Sequence, residues 1–406
     1  MTALPSPALR ALRDGVRARV PGAEAKFWLR VERAGTPLVE PDPEGDPAHR
    51  LVTFLWRDDP DRPATGVLLL LHTVTDRDRH AGDLTRHLMH RVEGTGAWAL
   101  AHRLRADHRA SYQFLPGHGG REELLRTDRL SWRSALDRAV PDPLNRACPL
   151  PSAGPRRPAS VLSLPGAPPQ PYAGGAVVPR GTTVAREPDG RRVWVHRPPG
   201  DAPSAVAVLL DGEMWGPVLD VGGMLDRMTA DKALLPTAVL MVDSTGRRMD
   251  DLACNGAFVD WLADGLLPWA AREFAAPLRA ERTVIAGQSA GGLTAAFSAF
   301  RRPDRFGLAA SQSGSFWWPD DDPERETEWL TRQFAAGERR DVRLWLEVGL
   351  QEWMLLPQNR RLRNVLRARG YDVSYREFNG GHDYACWRGG LADALTALLA
   401  DDDARP

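Results

Sequence analysis

The pentapeptide Gly287-Gln288-Ser289-Ala290-Gly291 is the part of this sequence whose residue types and spacing point most directly to chemistry. It follows the short apolar run TVIAG and precedes a run of small residues with a helical pattern. Glycines on both sides of a serine let a strand turn sharply into a helix and lift the hydroxyl out of the sheet. The segment therefore predicts Ser289 as a nucleophile, with an exposed serine in a glycine turn as the alternative.

A serine hydroxyl is a weak nucleophile and needs a neighbouring base, usually a histidine. Eight of the ten histidines precede a proline-rich stretch at residues 149–179, and only His196 and His382 follow it. His196 precedes Ser289 and lies in a predicted strand, whereas His382 follows the last predicted strand in FNGGHDYACWRGG. The hydrolase order of serine, acid and histidine favours His382 as the base. A capping histidine in a glycine turn is the other interpretation.

The acid that orients the base should follow the strand between Ser289 and His382. The segment RLWLEVGLQE offers Glu347 inside that strand and Glu352 in the loop just past it. Because the carboxylate must reach the imidazole Nδ1 from a loop, Glu352 is favoured over Glu347. Asp383, adjacent to the histidine, and orientation by a backbone carbonyl are the remaining alternatives.

An oxyanion hole needs two N–H donors near the nucleophile. Ala290 N–H, at the start of the helix after Ser289, is one candidate. The second is expected from a loop after an early strand, and LLDGEMWG ends the first strong strand of this half of the chain. Gly212 or Glu213 N–H is therefore predicted as the second donor, unless the Asp-Gly pair makes only a turn.

The elements that must position these residues follow from the pattern after the proline-rich stretch. A hairpin is expected about Asp189-Gly190, and short apolar runs then alternate with helical segments. These runs are AVAVLLD, TAVLMVD, TVIAG, FGLAAS, RLWLEVG and VSYREF. The alternation predicts an α/β fold for residues 181–406, with a mostly parallel sheet covered on both faces.

Residues 1–150 and 151–180 have different patterns. In the first range, KFWLRVERA, RLVTFLWRD, TGVLLLLHTVT and ASYQFLPG are short, apolar or alternating, and are separated by turn residues. They predict a small all-β sandwich, with a structural role favoured over ligand contact. The second range belongs to a stretch with nine prolines, which lack an N–H donor and fix φ. It is predicted to be an extended linker without a regular core element.

Composition excludes several classes of function. The 53 basic residues balance 53 acidic residues, which argues against a nucleic-acid surface. The three cysteines, Cys148, Cys254 and Cys386, form neither a disulfide framework nor a metal-ligand motif, so no cofactor and no metal site is expected. The N-terminus lacks an apolar signal region, and GVLLLLH, the longest apolar run, is too short to span a bilayer. A cytoplasmic protein without a membrane partner is expected.

Several of these segments together resemble the enterochelin (enterobactin) esterase family. The resemblance lies in LLDGEMWG, DDLACNGAFVDWLADGLLP, AGQSAGGLTAAF, RPDRFGLAASQSGSFWWP, LEVGLQE and GGHDYACWRGGL, and before the linker in VTFLWRD, EGTGAWALAHRLRADHRASYQFLP and DPLNR. It covers nearly the whole chain, and a generic serine esterase would not carry both the double tryptophan and the GGHD-CWRGG loop. It implies an N-terminal Ig-like sandwich followed by an esterase D-like α/β-hydrolase domain.

The resemblance also implies a function. The family consists of cytoplasmic serine esterases that open catecholate trilactone siderophores such as enterobactin, so that iron is released inside the cell. By position it implies Ser289 as nucleophile, His382 as base and an acid near Glu352, with iron entering only as part of the substrate. Ala290 is smaller than the residue often found there, and Asp251 stands where glutamate is usual. These departures leave open which trilactone is the substrate.

A ferric catecholate is wide, aromatic and anionic, so guanidinium and indole groups are expected to bind it. The candidate substrate-binding residues are three arginines and four tryptophans near the predicted catalytic segments: Arg248, Arg388, Arg109, Trp215, Trp317, Trp318 and Trp387. Any one of them alone is more often a surface charge or a core aromatic residue.

Two other functions stay open. One is a broader esterase D-like carboxylesterase or acyltransferase that acts on feruloyl, formyl-thiol or acyl-sugar esters. The other is a non-catalytic carbohydrate-binding or scaffold protein whose hydrolase domain is a relic. The intact serine and histidine pair with its oxyanion loop argues against the second.

Overall fold

The computed structural model describes residues 6–173, 178, 180–200, 202–320 and 326–399. The chain divides into two compact units. The first unit comprises the chain up to Pro168 together with Asn379–Ala385, and the second comprises Pro169–Phe378 and the chain from Cys386 onward. Within the described ranges, each helix is too short or too polar to cross a lipid bilayer.

The first unit combines two antiparallel sheets with helices. Its described helices are α1 (Pro7–Arg17), α2 (Ala23–Ala34), α3 (Val74–His80), α4 (Arg121–Leu124) and α5 (Arg129–Arg138). Its described strands are β1 (Leu38–Pro41), β2 (His49–Arg57), β3 (Gly66–Leu71), β4 (His90–Arg91), β5 (Ala97–Arg105), β6 (Arg109–Gly117) and β7 (Ser160–Ser163). One sheet has the order β1-β2-β5-β4 and the other has the order β3-β6-β7.

The core of this unit lies between the two sheets. Phe54 of β2 and Leu69 of β3 belong to the same buried cluster. Because successive strand residues point to opposite faces, Leu55 packs instead in the cluster of α1 and α2, and Leu70 packs with Trp132 of α5. The predicted N-terminal β-sandwich is confirmed, and the five helices that cover it were not predicted.

One predicted strand in this unit is wrong. The segment KFWLRVERA forms most of α2, which runs from Ala23 to Ala34. Its buried side chains are Phe27, Trp28 and Val31, and a spacing of one, three and four residues places them on one face of a helix. The alternation that suggested a strand was outweighed by this helical stripe.

The proline-rich range 151–180 contains one regular element that was not expected. Strand β7 pairs with β6 through Ser111↔Val161 and neighbouring residues, and Leu162 is part of the sandwich core. The strand forms because residues 159–164 contain no proline, so their backbone N–H groups can join a ladder. The expectation that this stretch holds no core element was therefore wrong for this segment. Residues 174–177 and 179 lie outside the described part of the chain.

The second unit is an α/β layer structure. Its described strands are β8 (Thr182–Arg186), β9 (Val193–Arg197), β10 (Ala205–Leu209), β11 (Thr237–Val242), β12 (Thr283–Gln288), β13 (Leu308–Gln312), β14 (Arg343–Gly349) and β15 (Asp372–Phe378). Its described helices are α6 (Val221–Ala230), α7 (Arg248–Leu252), α8 (Gly256–Trp261), α9 (Leu267–Phe274), α10 (Ala290–Arg301), α11 (Trp329–Ala336), α12 (Leu356–Ala368) and α13 (Tyr384–Leu399).

The strand order is β15-β14-β13-β12-β10-β11-β9-β8. Strands β10 to β15 pair in parallel, and β8 and β9 form the predicted hairpin at one edge. The central strands β10, β11, β12 and β13 are buried along their whole length, as expected for a parallel sheet covered on both faces. The predicted α/β-hydrolase class is confirmed, and Ser289, Glu352 and His382 each follow a parallel strand of this sheet in the sequence.

Candidate active site

Ser289 occupies the sharp turn between β12 and α10, with φ 59° and ψ −120°. A residue other than glycine in such a conformation costs about 1–3 kcal/mol and persists only where its surroundings enforce it. Ser289 N–H donates to the Gln312 carbonyl, and the Ser289 carbonyl accepts from Leu293 N–H and Ser315 N–H, all at 3.0 Å. Strand β13, the loop after it and the first turn of α10 therefore enforce the strained turn.

The two glycines beside Ser289 have different steric roles. A Cβ added to Gly287 would lie 2.5 Å from the backbone carbon and oxygen of Gly291, which no folded backbone tolerates. A Cβ added to Gly291 would meet nothing closer than 3.5 Å, at Asp211 Oδ2 and Leu210 Cβ. The close approach of strand and helix thus requires glycine at position 287 and permits a small side chain at 291.

The surroundings of Ser289 Oγ suit a nucleophile. Ser315 Oγ lies 3.3 Å away. The first backbone bond of α10 runs from Leu293 N–H to the Ser289 carbonyl, so Ala290 N–H has no acceptor within the helix. Such leading N–H groups, at the positive end of a helix dipole, favour a developing negative charge. This arrangement fits the predicted oxyanion donor Ala290, whose role stays a prediction.

The loop after β10 carries the second predicted oxyanion donor. Gly212 packs so closely on β11 that an added Cβ would overlap the Met241 backbone. Arg248 holds this loop, because its Nε and Nη2 donate to the two carboxylate oxygens of Asp211 at 2.7 and 2.8 Å. The same Nη2 also donates to the Gln288 carbonyl at 3.3 Å. Arg248 thus ties the loop after β10 to the residue before Ser289, a contact that sequence reasoning missed.

Glu213 fastens the same loop through its side chain. Its carboxylate accepts a bond from Ser244 N–H at 3.0 Å, and burial raises the pKa of Glu213 above its usual range. Met214 N–H donates to the Asp211 carbonyl at 3.0 Å and closes a turn. The turn that was the alternative interpretation of Asp211-Gly212 is present, and donation to the oxyanion by Gly212 or Glu213 stays a prediction.

Glu352, the favoured acid, lies in the loop after β14 and is 2% exposed. Its Oε1 accepts from Ser313 Oγ at 2.6 Å and from Gly349 N–H at 2.8 Å. Ser313 Oγ also accepts from Trp387 Nε1–H at 3.0 Å. These bonds fix the carboxylate at the end of β14, where a loop acid was expected, and its part in catalysis stays a prediction.

Glu347, the alternative acid, lies inside β14 and is fully buried. Its two oxygens accept from Gln312 Nε2 and from Arg376 Nη2, both at 2.6 Å. Burial raises the pKa of Glu347, and the guanidinium of Arg376 opposes that rise. These partners assign Glu347 to the interior of the sheet.

A chain of buried amides links this interior to the turn at Ser289. Trp215 Nε1 donates to Gln288 Oε1 at 3.0 Å, and Gln288 Nε2 donates to Gln312 Oε1 at 2.7 Å. Gln312 Nε2 in turn donates to Glu347 and to the Trp387 carbonyl. Sequence reasoning missed this network, although the glutamines stand at the ends of two adjacent predicted strands.

His382, the predicted base, lies in the segment Asn379–Ala385 of the first unit. Its backbone N–H donates to Thr73 Oγ1 at 3.0 Å, and its backbone carbonyl accepts from His72 Nε2–H at 2.6 Å. Both partners directly follow β3. The sequence pattern placed His382 in a loop but gave no sign of these partners.

The neighbouring carboxylate of Asp383 is occupied by backbone amides. Its Oδ2 accepts from Ser111 N–H at 2.5 Å and its Oδ1 accepts from Ala385 N–H at 2.8 Å. The second bond caps the N-terminus of α13. Asp383 therefore has a structural role, in line with its low rank among the candidate acids.

The rejected histidine, His196, is 2% exposed in strand β9. Its Nδ1 lies 2.9 Å from Thr183 Oγ1, and its Nε2 lies 3.0 Å from Asp226 Oδ1. These contacts make it a buried, hydrogen-bonded residue of the sheet edge.

The candidate binding residues differ in burial. Trp215 is 1% exposed and Trp387 is 4% exposed, so both pack in the core of the second unit. Trp317 and Trp318 are half-buried, and Trp318 packs edge-on against Trp329 with ring centroids 6.1 Å apart. Of the four tryptophans, this pair offers more accessible surface for a ligand.

Arg388 and Arg109 both bond to the proline-rich range. Arg388 Nε donates to Gln170 Oε1 at 3.1 Å. Within the first unit, Arg109 Nη2 donates to Ser163 Oγ at 3.0 Å and to the Pro168 carbonyl at 2.7 Å. Their roles in substrate binding stay predictions.

Two family models match this sequence. The Esterase family model matches residues 188–398, and the model described as "Enterochelin esterase, N-terminal" matches residues 51–173. The first match therefore includes the turn at Ser289 and the segment with His382, and the second runs from within β2 to beyond β7.

Similar proteins are known by sequence and by structure. An iron(III) enterobactin esterase of Escherichia coli O6:H1 is 36% identical over 86% of this chain and 90% of its own length. An iron(III) salmochelin esterase of the same organism is 32% identical over 96% of this chain and 97% of its own. The ferric enterobactin esterase of Salmonella typhimurium is 30% identical with a TM-score of 0.79, covering 92% of this chain and 98% of that one. The Shigella flexneri enterobactin esterase, crystallised in the presence of enterobactin, is 32% identical with a TM-score of 0.73, covering 87% and 94%.

Proposed function

We propose that this chain, which belongs to the iron(III) enterobactin esterase family, hydrolyses the ester bonds of a ferric catecholate trilactone siderophore. The chain is a carboxylic ester hydrolase. The observation that carries the proposal is Ser289, held at φ 59° on the turn from β12 to α10 with the leading N–H groups of the helix beside it.

The proposed reaction uses Ser289 as nucleophile and His382 as base. Ser289 Oγ attacks an ester carbonyl of the lactone ring while its proton passes to the His382 imidazole. The oxyanion that forms accepts hydrogen bonds from Ala290 N–H and from Gly212 or Glu213 N–H. When the tetrahedral intermediate collapses, the ester C–O bond breaks and the departing alkoxide takes the proton from His382. The product of this half-reaction is a linear chain esterified to Ser289.

Water completes the cycle in the same site. His382 removes a proton from a water molecule as its oxygen attacks the acyl carbonyl, and the proton then returns to Ser289 Oγ as the acyl bond breaks. In the proposal, Glu352 orients the imidazole. The released product is the linearised trimer, and further rounds would cut it into monomers with weaker chelating power.

Charge and aromatic surface support the choice of an anionic catecholate substrate. Guanidinium groups pair with catecholate oxygens and stack on aromatic rings, and we assign that role to Arg248, Arg388 and Arg109. The half-buried Trp317 and Trp318 would pack against catechol rings. Arg248 already pairs with Asp211, so in this proposal it would act at the substrate while it holds the oxyanion loop.

Iron belongs to the substrate in this proposal. The metal arrives chelated by the catecholates, and the chain needs no cofactor of its own. We place the reaction in the cytoplasm, where a chain with three cysteines needs no disulfide framework. There the linear product would lose iron more readily than the closed ring.

The substrate is tested by mass spectrometry of products. The protein would be incubated with seryl and threonyl trilactones, each with and without iron, and in parallel with feruloyl, formyl-thiol and acyl-sugar esters. We expect linear trimers from at least one ferric trilactone, with kcat/KM exceeding that for the small esters by about 10²-fold or more. A preference for the small neutral esters would overturn the siderophore assignment and favour a broader esterase. Failure to hydrolyse any ester, and failure of a fluorophosphonate to label Ser289, would favour a non-catalytic protein.

A further inference from the structure

We infer that His72 and Thr73, which follow strand β3, are positioning residues that hold the catalytic base His382 by its backbone. The inference rests on the proposed role of His382 as the base. It gives the β-sandwich a part in the reaction, because all three residues belong to the first unit.

The contacts use both backbone polar groups of His382. Thr73 Oγ1 accepts from His382 N–H at 3.0 Å, and His72 Nε2–H donates to the His382 carbonyl at 2.6 Å. A residue whose N–H and carbonyl are both bonded has little freedom to rotate about φ and ψ, so the direction of its Cα–Cβ bond is set. The imidazole of His382 is attached to that bond.

Thr73 has a conformation that fits a functional role. Its φ is 68° and its ψ is −42°, which is rare for a β-branched residue and costs about 1–3 kcal/mol. Asp76 stabilises it, since Asp76 Oδ2 accepts from Thr73 N–H at 2.7 Å. Thr73 is 3% exposed. Strain of this kind, enforced by a capping carboxylate, places Oγ1 beneath the His382 segment.

Gly381 shows how closely Thr73 approaches the segment. A Cβ added to Gly381 would overlap the Oγ1, Cβ and Cγ2 atoms of Thr73. The glycine before the base is therefore explained by packing against Thr73. The sequence indicated only that His382 stands in a glycine-containing segment after the last predicted strand.

Further bonds hold the segment on the same unit. Arg109 N–H donates to the Asn379 carbonyl at 3.0 Å, and Asn379 Nδ2 donates to Asp107 Oδ1 at 2.7 Å. His72 is itself fixed at its backbone, because its N–H donates to the Ser111 carbonyl at 3.0 Å. The segment is thus anchored at its start and at the base itself.

A positioning role predicts a particular kinetic signature. Displacing a catalytic group by about 1 Å can cost on the order of 10²-fold in rate. Neither Thr73 nor His72 needs to touch the substrate for this effect, so kcat should fall while KM changes little. A purely structural residue would instead lower stability and leave kcat per folded molecule unchanged.

The decisive variants are Thr73→Val and Thr73→Ser in the full chain. Valine keeps the shape but removes the acceptor, and we expect kcat on the best ester substrate to fall about 10- to 100-fold with KM within about twofold. Serine keeps the hydroxyl and should recover most of the rate. The matched control is Thr75→Val, which removes a similarly buried hydroxyl from α3 whose contacts are with Leu69 and Leu71 in β3 and with His87. That control should cost stability with little change in kcat.

A second pair of variants keeps the inference testable if substitutions at the strained Thr73 prevent folding. His72 has a side chain that is 40% exposed, so His72→Phe should fold while losing the bond to the His382 carbonyl. We expect its kcat to fall about tenfold, and His72→Gln, which keeps an N–H donor, to recover part of the loss.

The outcomes separate this inference from the proposed function. Retention of wild-type kcat by both Thr73→Val and His72→Phe, while His382→Ala is inactive, would overturn the inference and leave the proposed function intact. Equal loss of kcat in Thr73→Val and Thr75→Val would also overturn it, because the effect would then be structural. Wild-type activity in His382→Ala would instead overturn the proposed function.

Discussion

Ser289, the proposed nucleophile, and His382, the proposed base, are held by contacts that differ in their separation along the sequence. Ser289 is fixed by neighbours in its own unit: β13, the loop after it and the first turn of α10 bind its backbone N–H and carbonyl. His382 is fixed at the same two backbone atoms, but by Thr73 and His72, which precede it by 309 and 310 residues. The proposed nucleophile depends on nearby segments of the chain, and the proposed base depends on residues that are remote in the sequence but belong to the same unit.

This difference explains why the two residues are not equally visible in the sequence. A sharp turn from strand to helix needs glycine at a fixed position, so the glycines beside Ser289 reveal the turn in the sequence. His382 is held by side chains that are remote in the sequence. The only neighbouring residue that reflects this packing is Gly381. The β-sandwich, which sequence reasoning treated as structural, therefore acquires a role in positioning.

The largest expected effect tests whether Glu352 orients the proposed base. Replacing Glu352 with Gln keeps the shape of the side chain but removes its charge, and we expect kcat to fall about 10²- to 10⁴-fold, as for a triad acid. The matched control is Glu347→Gln, which should lower the melting temperature without a comparable loss of kcat. Steady-state kinetics with thermal unfolding separates the two effects. Equal kcat for Glu352→Gln and wild type would leave His382 oriented by backbone contacts alone.

A smaller effect tests the close packing of the turn at Ser289. In Gly287→Ala the new Cβ would lie 2.5 Å from the Gly291 backbone, so we expect the turn to distort and kcat to fall by about 10²-fold. In Gly291→Ala the nearest atoms are 3.5 Å away, and the loss should stay under about tenfold. The rate of fluorophosphonate labelling at Ser289 measures the reactivity of the serine in both variants. Similar rates for the two variants would contradict the close-packed turn.

The smallest effect concerns acid stability of the first unit. His108 is 2% exposed, its Nδ1 lies 3.5 Å from Asn379 Oδ1, and its Nε2 has no partner within the described ranges. Burial lowers the pKa of His108 from its ordinary 6.5. The unfolded chain then binds a proton that the folded chain excludes, so stability is retained above pH 6.5 and falls as the pH drops below it.

The free energy of unfolding is expected to fall by up to about 1.4 kcal/mol for each pH unit below pH 6.5. Urea unfolding between pH 7 and pH 5 measures it, and His108→Gln should reduce the slope. Because Asn379 begins the segment that carries His382, activity should also decline with this unfolding step. An identical slope in the variant would show that other groups control the acid sensitivity.

Much of the second unit was predictable because its strands and turns are determined by residues that are close together in the sequence. The central parallel strands are continuous apolar runs, since helices bury both of their faces, and all six runs named from the sequence form strands. The turn at Ser289 and the hairpin at Asp189-Gly190 follow from glycine chemistry in the same way.

The first unit was harder because its patterns compete. Phe27, Trp28 and Val31 have the spacing of one face of a helix, but the surrounding residues also alternate as in a strand. Only tertiary packing decides between helix and strand. Helix α1 had a sequence signal that was not used, namely Ser6 as N-cap followed by Pro7. The bonds from Thr73 and His72 had no sequence signal, since side chains after a strand do not show which distant loop they will meet.

The central claim is that Ser289 attacks a trilactone ester and becomes acylated. The direct measurement is mass spectrometry of the Ser289 peptide after acid quenching of a reaction with a ferric trilactone. Because ring opening loses no atoms, the account predicts an added mass equal to the whole iron-free trilactone on Ser289, with linear trimer in solution. In Ser289→Ala it predicts no adduct and no hydrolysis, with binding of the ferric siderophore retained. Undiminished hydrolysis by Ser289→Ala would contradict the account.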